Sequence, residues 1–328
     1  MGAWHRAAIV SIHKFVILGA GAMGSILGAH LTRAGRDVTM LARGRRARQI
    51  ATDGLRLTGL VELSVPTRVI EDPAQLRSAD VLIVATKAID TPESLALLRN
   101  AQIGIAFSVQ NGVVKNDFLA AAFGREHTLG ALANISGELQ NDGKVLFTRN
   151  VNVAIGELAG GTSSRAGAIA QTIEASGVHC IAVSDIQSRE WSKFAAWVGL
   201  AGVAMSARTY TWQFLMDRDG ATAFVRLVRE IGRLADASGV ALTDDSVLPV
   251  ATLCRADEST AVRIVQDYGK ELRDSAPQHK LSTLQDIEAG RPLEMEETFG
   301  FAVRKAKELQ LSLPLTEQSY RSFRPPPT

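Results

Sequence analysis

The sequence KFVILGAGAMGSILGAHLTRAGRDVTMLAR, residues 14–43, decides the fold of the first part of this 328-residue chain. An apolar run leads into Gly19-Ala20-Gly21-Ala22-Met23-Gly24, a helical apolar pattern follows, and a second strand-like run ends at Leu41. This is a G-x-G-x-x-G motif between a strand and a helix, the setting in which the motif binds the pyrophosphate of a dinucleotide. The first glycine permits a tight turn, the second lets backbone N–H groups approach phosphate, and the third lets the helix pack closely. The sequence therefore predicts a dinucleotide site at a helix N-terminus; a Gly-rich turn with only a structural purpose is the alternative.

The overall composition is that of a water-soluble globular protein. Hydrophobic residues make up 46% and charged residues 21% of the chain, which is ordinary for such proteins. The 36 basic and 34 acidic side chains nearly cancel, so the charge does not favour nucleic acid or a membrane surface as a partner. No apolar run reaches the roughly 18–20 residues of a membrane-spanning helix, and residues 1–13 lack the features of a signal peptide. We therefore expect a cytoplasmic protein of about two domains.

The cysteines and histidines do not indicate a metal or redox centre. Cys180 and Cys254 lie far apart in the sequence, and no two of the six histidines have the spacing of metal ligands. No G-x-S-x-G turn and no G-x-x-x-x-G-K-[ST] loop occurs either. The sequence therefore predicts no metal, and the Gly-rich motif remains the strongest signal of function.

Strands and helices alternate after the motif, which predicts an α/β fold. The apolar runs Val81–Ala85 and Ile103–Val109 indicate strands covered on both faces, as in a parallel, doubly wound sheet. Strands and turns follow from Gly130 to Glu157, and Asn141-Asp142-Gly143 within this stretch indicates a hairpin. These patterns predict an N-terminal Rossmann-type domain at residues 14–183.

The pattern changes near Ser184, after which the apolar spacing is helical only. We predict that an all-α domain at residues 184–320 follows the doubly wound sheet. Residues 1–13 are expected to form an extension before the first strand, and residues 324–328 a frayed tail.

The end of the second strand indicates which dinucleotide binds. NAD sites usually place a carboxylate there, which accepts hydrogen bonds from the ribose hydroxyls. Here the strand ends in Met40-Leu41-Ala42-Arg43-Gly44-Arg45-Arg46, without a carboxylate. A guanidinium suits a 2′-phosphate through its charge and planar donors, so we predict that Arg43 helps to bind NADP(H). Alternatively Arg45, Arg46 and Arg48 form one solvated helix face, which we expect for Arg48.

Three further positions are candidates for chemistry. Lys87 and Asn111 each follow a buried strand, so they lie at the carboxyl edge of the sheet, where ligands bind in open α/β folds. Lys193 lies in the first predicted helix of the second domain. Hydride delivery to a ketone builds negative charge on oxygen, and a cation such as lysine stabilises that charge and donates the proton.

Together these residues resemble the ketopantoate reductase (2-dehydropantoate 2-reductase) family, in order and at similar spacing, from Lys14 to about Pro314. The most specific parts are the helix of Lys193 and the segment Ser282-Thr283-Leu284-Gln285-Asp286-Ile287, with Glu294 eight residues after Asp286. The resemblance implies an NADPH-dependent reductase of pantothenate biosynthesis, with a Rossmann domain, an α-helical domain and an active site in the cleft between them. It also implies a homodimer formed through the helical domain.

The resemblance implies a role for each matching residue. Lys193 would be the general acid that protonates the carbonyl oxygen, and Glu294 would anchor a substrate hydroxyl or orient the lysine. Ser282 would donate a hydrogen bond to the substrate carboxylate. Asn111 would position nicotinamide and substrate, with Lys87 close to the cofactor.

Structural explanations remain open for several of these residues. Lys193 alone could be a surface lysine of a helix, and Glu294 could be a charge favoured near a helix N-terminus. Ser282 could cap a helix that begins at Leu284.

The substrate pocket departs from the family pattern. The family commonly has asparagines four and eight residues after the lysine, where this chain has Trp197 and Ala201. It commonly has Asp two residues after the glutamate and then Asn-Gly, where this chain has Glu296 and Phe299-Gly300. Either these changes reflect helix packing, or they make a less polar pocket for a bulkier substrate, because desolvating a hydroxyl without a partner costs about 1–3 kcal/mol.

The sequence thus predicts NADPH-dependent reduction of a 2-oxo acid, either 2-dehydropantoate or a bulkier, less polar keto analogue. Two alternatives stay open: another hydroxyacid dehydrogenase or an imine reductase, and a non-catalytic sensor that binds NADP(H). The expected partner is a small 2-oxo acid or ketone.

Overall fold

The computed structural model describes residues 12–324. Within this range, contacts divide the chain into two compact units: the first holds residues 12–110 and 115–186, and the second holds residues 111–114 and 187–324. The predicted N-terminal extension and C-terminal tail lie, except for their innermost residues, outside the described residues. Between residues 12 and 324, no helix has both the length and the apolar character needed to cross a bilayer.

The first unit contains two sheets and the helices that cover them. Its strands are β1 (Lys14–Leu18), β2 (Asp37–Leu41), β3 (Leu55–Gly59), β4 (Leu63–Val65), β5 (Arg68–Ile70), β6 (Ser78–Val84), β7 (Gln102–Ser108), β8 (Leu129–Leu139), β9 (Val145–Glu157) and β10 (Cys180–Ala182). Its helices are α1 (Ala22–Arg33), α2 (Gly44–Asp53), α3 (Thr91–Ala96), α4 (Lys115–Phe123) and α5 (Ser164–Ser176). The first sheet is parallel throughout, in the order β5-β2-β1-β6-β7.

Alternate residues of β1 pack on opposite faces of the first sheet. Phe15 and Ile17 belong to one hydrophobic cluster together with residues of α1 and α5, while Val16 and Leu18 belong to another that includes residues of α3 and α4. All four side chains are buried. Burial on both faces explains the continuous apolar run, because each face needs apolar side chains of its own. The first sheet is therefore doubly wound.

The strands β8 and β9 form a long antiparallel hairpin around the predicted Asn141-Asp142-Gly143 turn. Gly143 adopts φ +78°, a left-handed conformation that favours glycine. The other edge of β9 pairs in parallel with β3 and with β10, and β4 extends this second sheet from β3. Ile135 and Phe147 of the hairpin share the hydrophobic cluster of α1, so the second sheet packs on the face of α1.

The second unit is helical. Its elements are α6 (Ile186–Ala207), α7 (Thr211–Met216), α8 (Arg218–Ala237), α9 (Val250–Arg255), α10 (Glu258–Ser275), α11 (Ser282–Glu288), a π-helix (Glu296–Gly300), α12 (Phe301–Glu308) and α13 (Pro314–Phe323). Phe194, Phe224 and Phe299 lie in its core and are at most 1% exposed. A Cβ at Gly199 of α6 would lie 2.8 Å from the Phe224 ring of α8, so the missing side chain lets these helices pack closely. The predicted class, a Rossmann-type α/β unit followed by an all-α part, is confirmed.

Candidate functional site

The Gly-rich motif joins β1 to α1 with the close packing that its spacing predicts. Gly19 has φ +103°, and a Cβ there would lie 2.6 Å from the Thr86 backbone nitrogen. A Cβ at Gly24 would lie 2.0 Å from the Gly19 carbonyl oxygen. Both positions therefore exclude any other residue, the first because of its backbone conformation and the second because the helix touches the turn.

Gly21 differs from these two glycines. A Cβ there would meet nothing within 4 Å, so the space in front of its backbone is open. Gly21 is also the N-cap residue of α1, where no side chain accepts a hydrogen bond from the helix amides and no acidic residue lies in the first turn. Helix N-terminal amides favour an anion, and the open space at Gly21 admits one. These features fit the pyrophosphate of a dinucleotide.

A cavity of about 310 Å³ opens beside the motif. It lies at the carboxyl ends of β1, β2, β5 and β6, and its lining includes Gly19, Ala20, Gly21, Arg43, Arg46, Glu71, Thr86, Leu97 and Leu139. Leu97 and Leu139 are large apolar side chains that remain 54% and 39% exposed. A cavity lined by glycine backbone, arginines and apolar side chains can hold phosphate groups and a flat heterocycle.

Arg43 lies in this cavity, as its predicted role requires. It is the N-cap residue of α2, its backbone is extended, and its side chain is exposed. The adjacent arginines have different roles, since Arg45 and Arg46 bind the β8–β9 hairpin. Arg45 donates to the Asn141 carbonyl at 2.8 Å, whereas the side chain of Arg48 is exposed.

Arg46 makes the largest set of contacts among these arginines. Its Nε donates to the Ala20 carbonyl at 2.9 Å, and its Nη2 donates to Ser25 Oγ at 2.8 Å. Its Nη1 donates to the Gly143 carbonyl at 2.8 Å and to Gln49 Oε1 at 3.1 Å. Burial lowers the pKa of Arg46, with a smaller contribution from the charge of Arg56. Arg46 therefore fixes the Gly-rich turn to the hairpin tip. It is not part of a solvated helix face, which was the alternative explanation for this residue.

A carboxylate also lines the cavity, although none occurs at the end of β2. Glu71 directly follows β5, the strand that pairs with β2, and its Oε2 accepts a 2.8 Å hydrogen bond from the Gly44 backbone N–H. Glu71 was not predicted from the sequence, because the dinucleotide pattern concerns only the strand that carries Arg43. Its signal is its position immediately after a short strand, which becomes informative once the pairing of β5 with β2 is known.

The ends of β6 and β7 are held together by Gln110. Its Nε2 donates to the Thr86 carbonyl at 2.9 Å and to Thr91 Oγ1 at 2.6 Å, and its Oε1 accepts from Ser108 Oγ at 2.8 Å. Gln110 is 8% exposed. Thr86 lines the cavity, and the predicted cofactor residue Lys87 follows it with a half-buried side chain. Gln110 thus positions one wall of the cavity.

Lys115 is a buried cation that the sequence reasoning also missed. Its Nζ donates to the Gln110 carbonyl at 2.9 Å and to the Ala131 carbonyl at 2.5 Å. The side chain is 2% exposed. Lys115 therefore ties the segment after β7 to β8.

In the second unit, α6 presents Lys193 and Trp197 one turn apart. Both side chains are half-buried. Ala201, one turn further on, is fully buried in the hydrophobic core, and so is Phe299. The rings of Trp197 and Phe299 lie 6.1 Å apart between centroids. Burial of Ala201 and Phe299 favours helix packing as the explanation for those two substitutions, while Trp197 keeps exposed surface.

Ser282 is the first residue of α11, and Leu281 is its N-cap residue without a side-chain hydrogen bond to the helix amides. Ser282 itself is exposed. The alternative that Ser282 caps a helix beginning at Leu284 is therefore wrong, because the helix begins two residues earlier. The hydroxyl remains a candidate for binding a ligand.

An ion pair joins α11 to the segment that follows it, before the π-helix. Arg291 Nε lies 2.6 Å from Asp286 Oδ1, and the Arg291 backbone N–H donates to the Asp286 carbonyl at 2.8 Å. Glu294 follows in a half-buried position, and its carbonyl accepts from Thr298 Oγ1. The π-helix begins two residues later. Such helices are rare in proteins, and those that occur are often at functional sites. Glu296 is paired with Arg304 at 2.8 Å.

The segment Asn111–Val114 belongs by its contacts to the second unit, although it directly follows Gln110 of the first. Gly112 has φ +81°, and a Cβ there would lie 3.5 Å from the Glu297 carbonyl oxygen of the π-helix. Val113 lies in the core of this unit. Within the second unit, the predicted residue Asn111 is therefore attached beside the π-helix that follows Glu294.

No group of three or more His, Cys, Asp or Glu side chains suited to a metal occurs among residues 12–324. Burial raises the pKa of Cys180 to about 12, with an added contribution from the charge of Glu174. A thiol with so high a pKa is a poor nucleophile.

The fold and the cavity define a class: a Rossmann-type dinucleotide-binding protein with an all-α second unit. Family comparison makes this more specific. The model of the ketopantoate reductase PanE/ApbA family matches residues 15–160, and the model of its C-terminal domain matches residues 185–325. The chain belongs to the ketopantoate reductase family. It is accordingly an NADP-dependent oxidoreductase of a family that reduces ketopantoate and related 2-oxo acids, so the predicted enzyme class and cofactor are confirmed.

Individual relatives agree with the family match. The 2-dehydropantoate 2-reductase of Archaeoglobus fulgidus is 28% identical over 298 residues, which are 90% of this chain and 92% of that protein. The solved structure of 2-dehydropantoate 2-reductase from Geobacter metallireducens GS-15 superposes with a TM-score of 0.80 at 22% identity, covering 94% of this chain and 97% of that one. The complex of D-mandelate dehydrogenase with NADH gives 0.79 at 19% identity, covering 94% and 96%. At these identities, the two solved structures show a shared fold.

Proposed function

We propose that this protein reduces a 2-oxo acid to the 2-hydroxy acid with NADPH, and that Lys193 is the general acid. The observation that carries the proposal is the position of Asn111 and Gly112. They lie three and four residues after the end of β7 in the nucleotide-binding sheet, yet Gly112 packs within the second unit against the π-helix after Glu294. The second unit, which contains Lys193, thus also includes the segment Asn111–Val114, which follows the last strand of that sheet.

Held by the Gly-rich motif and Arg43 at the cavity, NADPH would supply the hydride that the keto carbon receives. As negative charge develops on the carbonyl oxygen, the Lys193 ammonium donates a hydrogen bond to it and then transfers a proton, which yields the hydroxyl. The protonated amine is well suited to both steps, since it has three donors and no acceptor. Its half-buried position on α6 strengthens its interaction with the developing charge, because the local dielectric constant is lower than in water.

The other predicted residues bind and orient in this proposal. Ser282 donates a hydrogen bond from its hydroxyl to the substrate carboxylate, and Asn111 positions the substrate beside the nicotinamide. Glu294 orients Lys193 or accepts a hydrogen bond from a substrate hydroxyl. Lys87 lies next to Thr86 of the cavity wall and provides positive charge near the cofactor. Residues 14–183 form the cofactor-binding domain, and residues 184–320 supply the acid and the substrate contacts.

Trp197 supports a substrate that is less polar than 2-dehydropantoate. It stands one turn after Lys193 with exposed surface, and its ring lies near that of Phe299. An aromatic surface in place of an amide favours an apolar substituent on the keto acid. Aromatic 2-oxo acids therefore belong in the test, and the D-mandelate dehydrogenase of this fold has been solved with anilino(oxo)acetate.

The experiment is a panel of 2-oxo acids, simple ketones and imines assayed for NADPH oxidation at 340 nm. Higher kcat/KM for aromatic or branched 2-oxo acids than for 2-dehydropantoate supports the apolar pocket. Preference for 2-dehydropantoate removes the role given to Trp197 and leaves the reductase proposal intact. Turnover of imines but not keto acids identifies an imine reductase, and binding of NADPH without any turnover identifies a sensor.

We also propose a homodimer formed through the helical unit. A solved relative from Staphylococcus aureus is described as dimeric, and it shares the fold of this chain. Light scattering coupled to size exclusion gives the mass directly: about twice the 35.1 kDa of the chain is expected, and a monomer at assay concentration excludes the dimer.

A further inference from the structure

We propose that Glu71 sets the preference between NADP(H) and NAD(H), because its carboxylate competes with a 2′-phosphate for the amide at the start of α2 and for Arg43. This inference rests on the proposed nucleotide-dependent function. It concerns a residue that the sequence pattern of the motif does not include. Its basis is that Arg43 and Glu71 line one cavity and that the Glu71 carboxylate accepts a hydrogen bond from the Gly44 N–H.

The pairing of β5 with β2 brings the carboxylate to this position. In the parallel register Leu41 lies opposite Ile70, so the two residues after each strand leave the same edge of the sheet. Glu71 then reaches the first residue of α2, and its Oε2 accepts from the Gly44 N–H at 2.8 Å. Arg43 and Glu71 both line the cavity beside the Gly-rich motif. The anion position at the start of α2 is therefore already occupied by a negative charge of the protein.

The two nucleotides differ in how they interact with this carboxylate. A 2′-phosphate carries close to two negative charges and only acceptor oxygens near neutral pH, so it is repelled by Glu71 and must displace it from the Gly44 amide. A ribose 2′-hydroxyl can donate a hydrogen bond to the same carboxylate. Arg43 attracts the phosphate and Glu71 opposes it. The protein therefore discriminates less strongly in favour of NADP(H) than Arg43 alone would allow, and it also uses NADH at a measurable rate.

Two small ligands isolate this effect from the chemistry at the nicotinamide. The affinities of 2′,5′-ADP and 5′-AMP are measured by titration calorimetry on the full-length wild type and on Glu71→Gln. Glutamine keeps the acceptor oxygen for the Gly44 N–H but removes the charge, so the fold should persist, and an unchanged melting temperature checks this. We expect Glu71→Gln to bind 2′,5′-ADP roughly tenfold more tightly, the scale of one lost like-charge interaction near the surface. The affinity for 5′-AMP should stay equal or fall.

Asp72→Asn is the matched control. It removes a carboxylate from the next residue, whose Oδ1 accepts from the Ala74 N–H and which does not line the cavity. Its 2′,5′-ADP affinity should match the wild type within twofold. The ratio of kcat/KM for NADPH over NADH should rise in Glu71→Gln and not in Asp72→Asn.

Two outcomes overturn the inference. One is an unchanged 2′,5′-ADP affinity in Glu71→Gln, and the other is an equal gain for both ligands, since the effect would then not depend on the 2′-phosphate. Failure of the nucleotide-dependent function itself looks different, because wild type would then bind neither 2′,5′-ADP nor NADPH.

Discussion

Arg46 Nε donates a 2.9 Å hydrogen bond to the backbone carbonyl of Ala20, which places a guanidinium against the Gly-rich turn. The same guanidinium reaches Gly143 at the hairpin tip, 97 residues away in the chain. A carbonyl held in this way fixes the peptide that leads into Gly21 and hence the direction of the amides at the start of α1. The conformation of the Gly-rich turn therefore depends on a side chain outside the motif.

Replacing Arg46 with alanine should weaken binding of NADPH and NADH by similar factors. The change removes hydrogen bonds from a charged donor to Ala20, Ser25 and Gly143, and a hydrogen bond to a charged group contributes about 1.5–3 kcal/mol. The melting temperature should fall as well. Arg48→Ala, an exposed position on the same helix, is the control and should leave both properties near wild type. A loss confined to NADPH would show instead that Arg46 acts on the 2′-phosphate.

Gly21→Ala separates binding from folding. The backbone at Gly21 has φ −70°, which alanine adopts without strain, and the added methyl meets no protein atom within 4 Å. It would occupy the space assigned to the pyrophosphate, so we expect a normal melting temperature and at least a tenfold loss of NADPH affinity. The control is Gly167→Ala in α5, also open within 4 Å, which should retain binding and gain up to about 1 kcal/mol of helix stability. Undiminished NADPH binding by Gly21→Ala would remove the motif from the phosphate site.

Arg43→Ala should weaken NADPH far more than NADH. A hydrogen bond to a charged group contributes about 1.5–3 kcal/mol, which corresponds to roughly 10- to 100-fold in the dissociation constant. Fluorescence titration with each reduced cofactor measures both affinities. An equal loss for the two nucleotides would contradict the phosphate role. The double variant Arg43→Ala with Glu71→Gln then tells whether the two residues act on the same group, because shared action makes their effects non-additive.

Lys193→Ala should lower kcat by about 100-fold or more, the usual contribution of a general acid. Lys193→Met keeps most of the side-chain volume and provides the packing control for this half-buried position. Both variants should bind NADPH normally, and the limb of the pH–rate profile that reports the acid should disappear. A near-normal kcat in either variant excludes Lys193 as the acid.

The ion pair between Glu157 and Arg165 should make stability depend on acid pH. Glu157 accepts from Arg165 Nε at 2.7 Å and Nη2 at 2.6 Å, and this interaction lowers the pKa of Glu157. Because the pKa is lower in the folded state, the pair stabilises the fold above the unfolded-state pKa, near 4.5, and loses this effect as the pH falls through the folded-state value. The melting temperature of Glu157→Gln should therefore lie below wild type at pH 7 and converge with it as the pH falls through the folded-state pKa, which lies below 4.5. Glu62→Gln, at an exposed carboxylate, should differ little from wild type at either pH, and a gap for Glu157→Gln that persists unchanged in acid would contradict this account.

Much of the first unit follows from local sequence. Gly19 is favoured by the positive φ of the turn, and Gly24 is required by its contact with the Gly19 carbonyl, five residues earlier in the chain. The continuous apolar run of β1 indicates that the strand is covered on both faces. The hairpin turn at Gly143 is specified in the same local way. The α/β class and the cofactor were predictable for this reason, whereas the family resemblance depended most on the helix of Lys193 and the segment Ser282–Ile287 of the second unit. Ser282 shows where prediction from local sequence fails. The helix begins two residues earlier than the alternative assumed, so Ser282 does not cap it.

The sequence by itself predicted a dinucleotide site at the start of α1 and determined that Arg43 lies at the end of β2, because both depend on residues within one strand–helix–strand segment. Only the tertiary structure decided which other side chains lie beside the Gly-rich turn and Arg43. Glu71 reaches the start of α2 because β5 pairs with β2. Arg46 donates a hydrogen bond to Gly143 at the tip of a hairpin almost a hundred residues away in sequence. Neither contact has a periodic or local signal, since strand pairing at a sheet edge sets which distant side chains meet there. The charge around the nucleotide cavity is therefore a property of the folded sheet.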